Sequence, residues 1–281
     1  MKKTILILLC SLSVSLSVIG QEKQTQNFFR FYANVGVGGG ISTSSSFNLL
    51  YDLDMNSTNP SISVHPVGLG NGFSGYATFG YRFNKYLAVD VTANEFLGLP
   101  VGGDSVVNLY GSGHAETKIL GRMFSVIPAI VISAGLEKIN PYARFGLLVG
   151  AFPTMLTRYS EANAKGNPAT SLEITNHYYG GVALGYSATG GVSFKISKLI
   201  TLFTELQFSH ATWSPDHSEI IKYTVYGEDK LSTLTPYEKQ VDFVRTKYLA
   251  DPKNSGSPRQ ELRMTIPFST FAANFGVSFN F

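Results

Sequence analysis

The sequence predicts an all-β protein, an eight-stranded antiparallel up-and-down transmembrane β-barrel with long outer loops and short periplasmic turns. Apolar residues alternate with small or polar residues, at a period of two, through eight segments. The connections between these segments are short and long in turn. Charged residues make up 15% of the chain, against about 25% in soluble domains, and aromatic residues reach 13%. These observations indicate strands with one face toward lipid and the other toward a packed interior.

Residues 1–20 have the three parts of a secretory signal peptide. Lys2 and Lys3 precede a long apolar run, and Gly20 supplies a small residue before Gln21. The run is shorter than the roughly 20 apolar residues of a membrane-spanning helix. We therefore expect cleavage after Gly20 and a β-barrel domain over residues 21–281. The single cysteine, Cys10, lies in the leader, so the mature chain would have no thiol chemistry.

The eight strands are taken in chain order from the alternation. They are residues 29–38, 73–83, 87–94, 117–133, 142–149, 179–195, 200–209 and 271–281. The fourth is apolar on both faces, and Pro128 within it lacks an N–H donor, which predicts a bulge or a locally unpaired position. The long connections fall at about residues 39–71, 96–116, 152–178 and 214–263. This alternation places both termini on the short-turn side, which is periplasmic in an outer-membrane barrel.

The polar faces of the strands carry a few charges among many small residues. An eight-stranded barrel is filled by its own side chains, and a buried charge without a partner is costly. We therefore expect these charges to pair as an internal salt-bridge lattice, with a narrow or gated ion path as the alternative. The predicted interior network consists of Arg30, Arg82, Asp90, Arg144, Lys195 and Glu205.

A soluble lipocalin-like barrel is the main structural alternative. Such a barrel turns its apolar face inward and exposes Lys and Glu on its surface. Here the polar faces consist mostly of Gly, Ser, Thr, Asn and Tyr. That composition is better suited to a packed interior, so we favour the membrane barrel.

The last strand carries an apolar face that continues to the final residue. Phe275, Val277, Phe279 and Phe281 share this face. The segment resembles the C-terminal strand of bacterial outer-membrane β-barrels, which the barrel-assembly machinery recognises. The mature chain as a whole resembles the outer-membrane protein β-barrel domain families of Gram-negative bacteria, especially the small eight-stranded members.

This resemblance implies a location in the cell outer membrane, with outer-membrane lipid and the barrel-assembly machinery as partners. It implies no cofactor, and it leaves open an extracellular protein or glycan ligand bound through the outer loops. Without Lys2 and Lys3 the net charge is near +1, which gives no indication of nucleic-acid binding. The family resemblance carries fold and location but almost no function.

Residues 207–215, QFSHATWSP, contain a candidate catalytic pattern. The segment distantly resembles the strand-end motif of the lipid A deacylases, whose Phe-x-His-x-Ser-Asn pattern supplies a His base and a Ser nucleophile. Phe208 and His210 match this motif, whereas Thr212 and Trp213 stand where Ser and Asn are expected. No downstream carboxylate is clearly placed to orient the histidine. The alternative places His210 and Trp213 in the aromatic belt at the membrane interface.

Asp52, Asp54 and Asn56 alternate like the start of a calcium loop. An EF-hand requires Gly at the sixth position and Glu at the twelfth, and this chain has Ser57 and Ser63 there. The sequence therefore predicts no metal site.

The last long connection, at about residues 214–263, contains a helical pattern. Thr235 can cap a helix, Pro236 suits its first position, and Glu238 completes a capping box. Apolar residues then recur at helical spacing until Asp251-Pro252. This pattern predicts a helix of about three turns over residues 236–249.

Three functions remain open from the sequence. The leading hypothesis is a non-enzymatic outer-membrane protein whose long loops have a structural or surface-interaction role. The second is a porin-like conduit for small or apolar solutes. The third is a lipid-modifying enzyme that uses His210.

Overall fold

The computed structural model describes residues 29–43, 47–54, 61–107, 113–163, 171–247 and 256–281. The signal peptide predicted over residues 1–20 therefore lies outside the described residues. The same holds for Asn56 and Ser57 of the calcium-like pattern and for the last part of the predicted helix, residues 248–249.

Strands dominate the described chain. They are β1 (Phe31–Ser42), β2 (Phe47–Asp54), β3 (Ser61–Val67), β4 (Gly72–Arg82), β5 (Leu87–Gly98), β6 (Val101–Val107), β7 (Gly113–Ser133), β8 (Ile139–Asn163), β9 (Leu172–Tyr179), β10 (Ala183–Lys195), β11 (Ile200–Trp213), β12 (His217–Val225), β13 (Glu228–Asp229), β14 (Gln240–Val244), β15 (Arg259–Leu262) and β16 (Ile266–Asn280). A 3₁₀ turn, Leu231–Thr233, and one short helix, α1 (Pro236–Lys239), lie between β13 and β14.

Eight of these strands form a closed antiparallel barrel. In ring order they are β1, β4, β5, β7, β8, β10, β11 and β16, and each pairs with the next. The first and last close the ring through a ladder that runs from Tyr32–Asn280 to Ser42–Thr270. Neighbours in the ring are neighbours along the chain, so the predicted up-and-down order of eight strands is confirmed.

The outer surface of the barrel is apolar. The outward side chains of Val35, Phe79, Ile130, Leu147 and Phe275 are 53–68% exposed. On β1 the outward positions run from Phe31 to Ile41, which matches the roughly 9–11 residues with which a tilted strand crosses a bilayer. A water-soluble surface would not present such a belt, because exposed apolar patches of this size mark contact with lipid or protein.

The short connections lie at one end of the barrel and the long connections at the other. Tight turns join β4 to β5, β7 to β8 and β10 to β11. The chain leaves the barrel at the opposite end between β1 and β4, β5 and β7, β8 and β10, and β11 and β16. The predicted alternation of short and long connections is therefore confirmed.

The long connections contain a continuation of the barrel wall. β9 prolongs β10, because Tyr178–Met155 and Ala183–Gly150 share one register on β8. In the same way β12 prolongs β11, and β6, β14 and β15 extend the sheet at its two sides. We call this part the extension sheet; it comprises β6, residues 113–122 of β7, residues 154–163 of β8, β9, β12, β14 and β15.

The predicted irregularity at Pro128 takes the form of a locally unpaired position. Residues 127 and 128 have no partners on β8, yet the register is the same on both sides of them. On the other side, Pro128 lies opposite Val91 of β5. The register shift between β7 and β8 lies nearer the long connections, between Arg122 and Phe124. Phe152, on β8 at this shift, has a φ of 53°.

The predicted three-turn helix is wrong in its length. α1 begins at Pro236 as expected, and the Glu238 carboxylate accepts hydrogen bonds from the N–H and the hydroxyl of Thr235. The helix ends at Lys239, because the following residues form β14 and pair with β12. Tertiary pairing buries Val241 and Phe243 and overrides the local helical pattern. No helix in the described part of the chain is long and apolar enough to cross a membrane.

Candidate functional site

A buried ion network occupies the barrel interior near the short-turn end. The guanidinium of Arg144 donates from Nε to Asp90 Oδ2 at 3.1 Å and from Nη1 to Glu205 Oε1 at 3.0 Å. All three side chains are almost fully buried. Arg144 therefore bridges carboxylates from β5 and β11, strands on different sides of the barrel. Removing it would leave two buried carboxylates without their cation.

Three tyrosines donate further hydrogen bonds to these carboxylates, while Asp90 Oδ1 has no hydrogen-bond partner among the described residues. Tyr32 donates to Asp90 at 2.8 Å, Tyr142 donates to Glu205 Oε1 at 2.5 Å, and Tyr76 donates to Glu205 Oε2 at 3.3 Å. These tyrosines lie on the polar faces of their strands, but no role could be predicted for them from the sequence. Their position on the same strand faces as the inward charges was the available indication, since a buried phenol needs a hydrogen-bond partner.

Each tyrosine ring lies over a glycine directly opposite it on the neighbouring strand. The pairs are Tyr32 over Gly80, Tyr76 over Gly36 and Tyr142 over Gly191. A Cβ at Gly36 would lie 2.5 Å from Tyr76 Cζ, and one at Gly80 would overlap the ring of Tyr32. Glycine is needed at these positions because the ring occupies the space of a side chain.

The structure brings together only part of the predicted network. Arg82 joins it through Tyr32, with its guanidinium carbon 4.3 Å from the centre of that ring. Arg30 is exposed and donates to the hydroxyl of Tyr81 at 3.3 Å. Lys195 is exposed beside the turn after β10. Arg30 and Lys195 are therefore rim residues and not interior partners, because both lie at strand ends where the wall no longer encloses them.

A small polar cavity lies beside the network at the short-turn end. Its volume is about 80 Å³, and its lining includes Asn34, Arg82, Asn84, Asn140 and Ser193. The carbonyl oxygen of the Asn34 side chain has no hydrogen-bond partner among the described residues. A cavity with this lining and size is suited to about two or three water molecules.

The interior toward the long loops is apolar. Trp213 lies at its centre, with its Nε1–H donated to the Gly180 carbonyl at 2.7 Å and its ring 6.0 Å from that of Phe268. The buried cluster consists of Leu69, Phe96, Ile119, Met123, Ile127, Leu148, Met155, Ala183, Ala211, Trp213, Ile266 and Phe268. The interior thus has a polar half and an apolar half. Only the polar half is predicted by the alternation of residues in the sequence.

Trp213 and His210 lie on opposite sides of the barrel wall. Trp213 is fully buried in the interior, so its expected place in the interfacial belt is wrong. His210 faces outward, where its ring is 5.6 Å from that of Tyr186. Their side chains lie on opposite faces because odd and even positions of a strand alternate between the two faces. Trp213 is at an odd position of β11, as is the inward Glu205, whereas His210 is at an even one.

The predicted catalytic pair does not form. His210 Nδ1 lies 2.7 Å from the hydroxyl of Ser269, and the Thr212 hydroxyl donates to the Leu184 carbonyl at 3.5 Å. Ser269 is only 1% exposed, so its hydroxyl is not accessible to a substrate. A nucleophile needs a base within hydrogen-bond reach and access to the reacting carbon, and neither hydroxyl meets both conditions.

The two faces of the extension sheet differ in chemistry. The face toward the barrel axis is apolar, with Met155, Val241 and Phe243 buried and the rings of Tyr178 and Phe243 stacked 6.2 Å apart. It continues the apolar half of the interior. The opposite face continues the outward surface of the barrel and carries charged side chains and histidines.

Ion pairs and ring contacts cover this outward face of the extension sheet. The ring of Tyr179 lies between those of His177 and His217, with centroids 5.2 and 5.5 Å away. Glu219 accepts from the Lys239 ammonium at 2.9 Å, and this hydrogen bond lowers the pKa of Glu219 below its ordinary value. No group of three or more His, Cys, Asp or Glu side chains among the described residues could hold a metal ion.

Comparisons with known proteins give only distant structural neighbours. No protein-family model matches the chain, and no curated protein matches it. Neisserial surface protein A is 13% identical, with 89% of this chain and 97% of that chain covered and a TM-score of 0.36. Ail, the attachment invasion locus protein of Yersinia pestis, is 8% identical, with 90% and 99% covered and a TM-score of 0.35. The structure of Ail in complex with the heparin analogue sucrose octasulfate has the same identity and coverage, with a TM-score of 0.30. At these values the likeness carries no argument about function.

The chain is thus a closed eight-stranded antiparallel β-barrel with an apolar outer belt, a filled interior and a sheet that continues one side of its wall.

Proposed function

We propose that this chain is a non-enzymatic outer-membrane protein whose extension sheet and loops act at the cell surface in a structural or interaction role. The barrel would span the membrane through its apolar belt, with the short turns in the periplasm. The observation that supports this most is the one-sided continuation of four barrel strands beyond the belt into an ordered sheet. An organised element of this kind on a rigid scaffold is a common binding surface.

The filled interior argues against the solute conduit. In one half Arg144 spans the barrel between Asp90 and Glu205, and in the other half Trp213, Met155 and their neighbours are fully buried. An eight-stranded barrel is narrow enough for its side chains to fill it. An ion that crossed the apolar half would lose its hydration without any polar replacement.

The geometry around His210 also argues against the enzyme. The hydroxyl that bonds this ring belongs to the buried Ser269, and the exposed Thr212 is bonded elsewhere.

The proposal is tested by displaying the full chain on a Gram-negative host that lacks it. We expect the displayed protein to change the adhesion of these bacteria to immobilised extracellular proteins and glycans, or their cell-to-cell aggregation. A variant with residues 218–262 replaced by a short Gly-Ser turn should lose this effect. The variant should still migrate as a heat-modifiable barrel, because strand pairing within the ring holds without β12, β14 and β15.

Planar-bilayer recording of the refolded protein gives the independent check. We expect no discrete channel events. Regular single-channel steps, or equal surface binding by the shortened and complete proteins at matched surface levels, would contradict the proposal.

A further inference from the structure

A row of cations crosses the outward face of the extension sheet just beyond the apolar belt. Lys118 of β7 lies opposite Arg158 of β8, Arg158 lies opposite Thr175 of β9, and Thr175 lies opposite Lys222 of β12. Residues directly opposite each other in antiparallel pairs point to the same face. Lys118, Arg158 and Lys222 therefore stand side by side, with Thr175 between the last two. We call these four residues the cation row.

The side chains of the cation row come within reach of the lipid headgroups. On β7 the outward charged positions begin at Arg122, whose Nε lies 2.5 Å from Glu95 Oε1. Lys118 lies four residues farther along β7, about 13 Å along the strand and about 10 Å in height after tilt. The headgroup layer extends about 5–8 Å from the hydrocarbon, and Lys and Arg side chains reach back toward it.

The arrangement of charge in the row is unfavourable without an anion. Lys118 and Arg158 are like charges directly opposite each other, a pairing that destabilises a sheet. Among the described residues the three cations share two carboxylates. Lys118 forms an ion pair with Glu116, and Glu173 is paired both with Lys222, at 2.7 Å, and with Arg158, at 3.7 Å. The row therefore keeps one positive charge in excess. These carboxylates lie on the side of the row away from the belt, so the cations remain open toward lipid.

The hydroxyl of Thr175 also indicates an anion site in the cation row. Its side chain is buried at 7% exposure, and its Oγ1 has no hydrogen-bond partner among the described residues. Buried hydroxyls are normally paired, and an unpaired one calls for an explanation. Here the hydroxyl lies between Arg158 and Lys222. A hydroxyl donor between two cations suits a phosphate oxygen, which forms strong hydrogen bonds with Arg and Lys.

We propose that the cation row binds a phosphate group of an outer-leaflet lipid, with Arg158 and Lys222 as the charged donors and Thr175 as the neutral donor. Lys118 adds charge from the neighbouring strand. The inference rests on the proposed membrane placement of the barrel. It identifies a lipid headgroup rather than a soluble phosphate, because the row faces the lipid side of the wall and not the barrel axis.

The test is native mass spectrometry of the full mature protein, released from bilayers that contain a phosphorylated glycolipid or the same lipid without its phosphates. We expect the wild type to retain the phosphorylated lipid about tenfold more than the dephosphorylated one. The variant Lys118→Gln/Arg158→Gln/Lys222→Gln should lose this preference. The matched control is Lys138→Gln/Lys195→Gln/Lys198→Gln, which removes three exposed cations at the short-turn end and should retain the lipid as the wild type does.

Thr175→Val separates binding from a structural role. The substitution keeps the shape of the side chain and removes the unpaired hydroxyl, so we expect equal or greater resistance to urea together with severalfold weaker lipid retention. Unchanged retention in this variant and in the triple variant would overturn the inference, as would equal loss in the control.

Two further outcomes are distinguishable. Displacement of the lipid by low millimolar inorganic phosphate would assign the row to a soluble anion and overturn the lipid proposal. Insertion into bilayers is measured separately by heat-modifiable migration. A properly inserted barrel that retains the phosphorylated and dephosphorylated lipids equally would contradict this inference alone. A failure to insert would contradict the proposed function itself.

Discussion

The two halves of the barrel interior are filled by side chains of opposite chemistry, polar in one half and apolar in the other. The half near the short turns is held by Arg144, its two carboxylates and the tyrosines that coordinate them. The half near the long loops is filled by apolar side chains around Trp213. In the polar half, the stability of each buried group depends on the presence of its hydrogen-bond or ion-pair partner. In the apolar half, stability depends on how completely the side chains fill the space.

The largest effect is expected from Arg144→Met. This change leaves Asp90 and Glu205 buried without their cation, which costs about 3–5 kcal/mol. Urea unfolding of the refolded barrel in lipid measures it. The combined variant Arg144→Met/Asp90→Asn/Glu205→Gln also removes the two unpaired carboxylate charges. It should recover at least half of the lost free energy of unfolding. A single variant as stable as the wild type would show that the network does not hold the polar half.

The neighbouring residues Leu147 and Leu148 test the apolar half. Leu148 is 4% exposed in the interior, whereas Leu147 is 68% exposed on the lipid side. Leu148→Ala should cost about 2–5 kcal/mol because it leaves a cavity. Leu147→Ala should cost much less, since lipid chains can fill the space, while Leu147→Arg should cost about 2–4 kcal/mol near the bilayer midplane. Equal costs for the two alanine variants would contradict the assignment of faces.

Gly80→Ala tests the fit of the tyrosines in the polar half. A Cβ at this position would overlap the ring of Tyr32 and push it away from Asp90, so we expect a loss of about 1–3 kcal/mol. Gly75→Ala on the same strand is the matched control, because a Cβ there meets no heavy atom within 4 Å. Thermal unfolding of both variants measures the difference, and equal Tm values would show that the ring moves freely.

The smallest effect is expected from an ion pair outside the barrel. Lys239→Gln removes the partner of Glu219 on the partly solvated extension sheet and should cost less than about 1 kcal/mol, in contrast to Arg144. The folded pKa of Glu219 lies below its ordinary value, so the pair stabilises the fold above the unfolded pKa of about 4.3 and loses this effect as pH falls through the folded pKa. NMR titration should show the pKa of Glu219 rising in the variant. An unmoved pKa would mean that Lys239 does not cause the shift.

The barrel could be predicted from the amino-acid sequence alone. Alternation at a period of two fixes which side chains share a face, and the spacing of turns fixes which strands are neighbours, because both are local properties of a strand. The eight strands, their order and the division into short and long connections could therefore be predicted. The inward charges Asp90, Arg144 and Glu205 could be named as well, since few polar charges alternate with an apolar face.

The contents of the interior and of the long connections could not be predicted from the sequence, because they depend on tertiary contacts. The phenols that complete the network, the glycines beneath them and the apolar cluster around Trp213 depend on which residues of distant strands meet across the barrel. Alternation does not carry this information. The helix predicted beyond Lys239 became β14 for a related reason, because pairing with β12 buries Val241 and Phe243 and outweighs the local preference. The cation row likewise exists only through the cross-strand register, which brings together Lys118, Arg158, Thr175 and Lys222 from four separate strands.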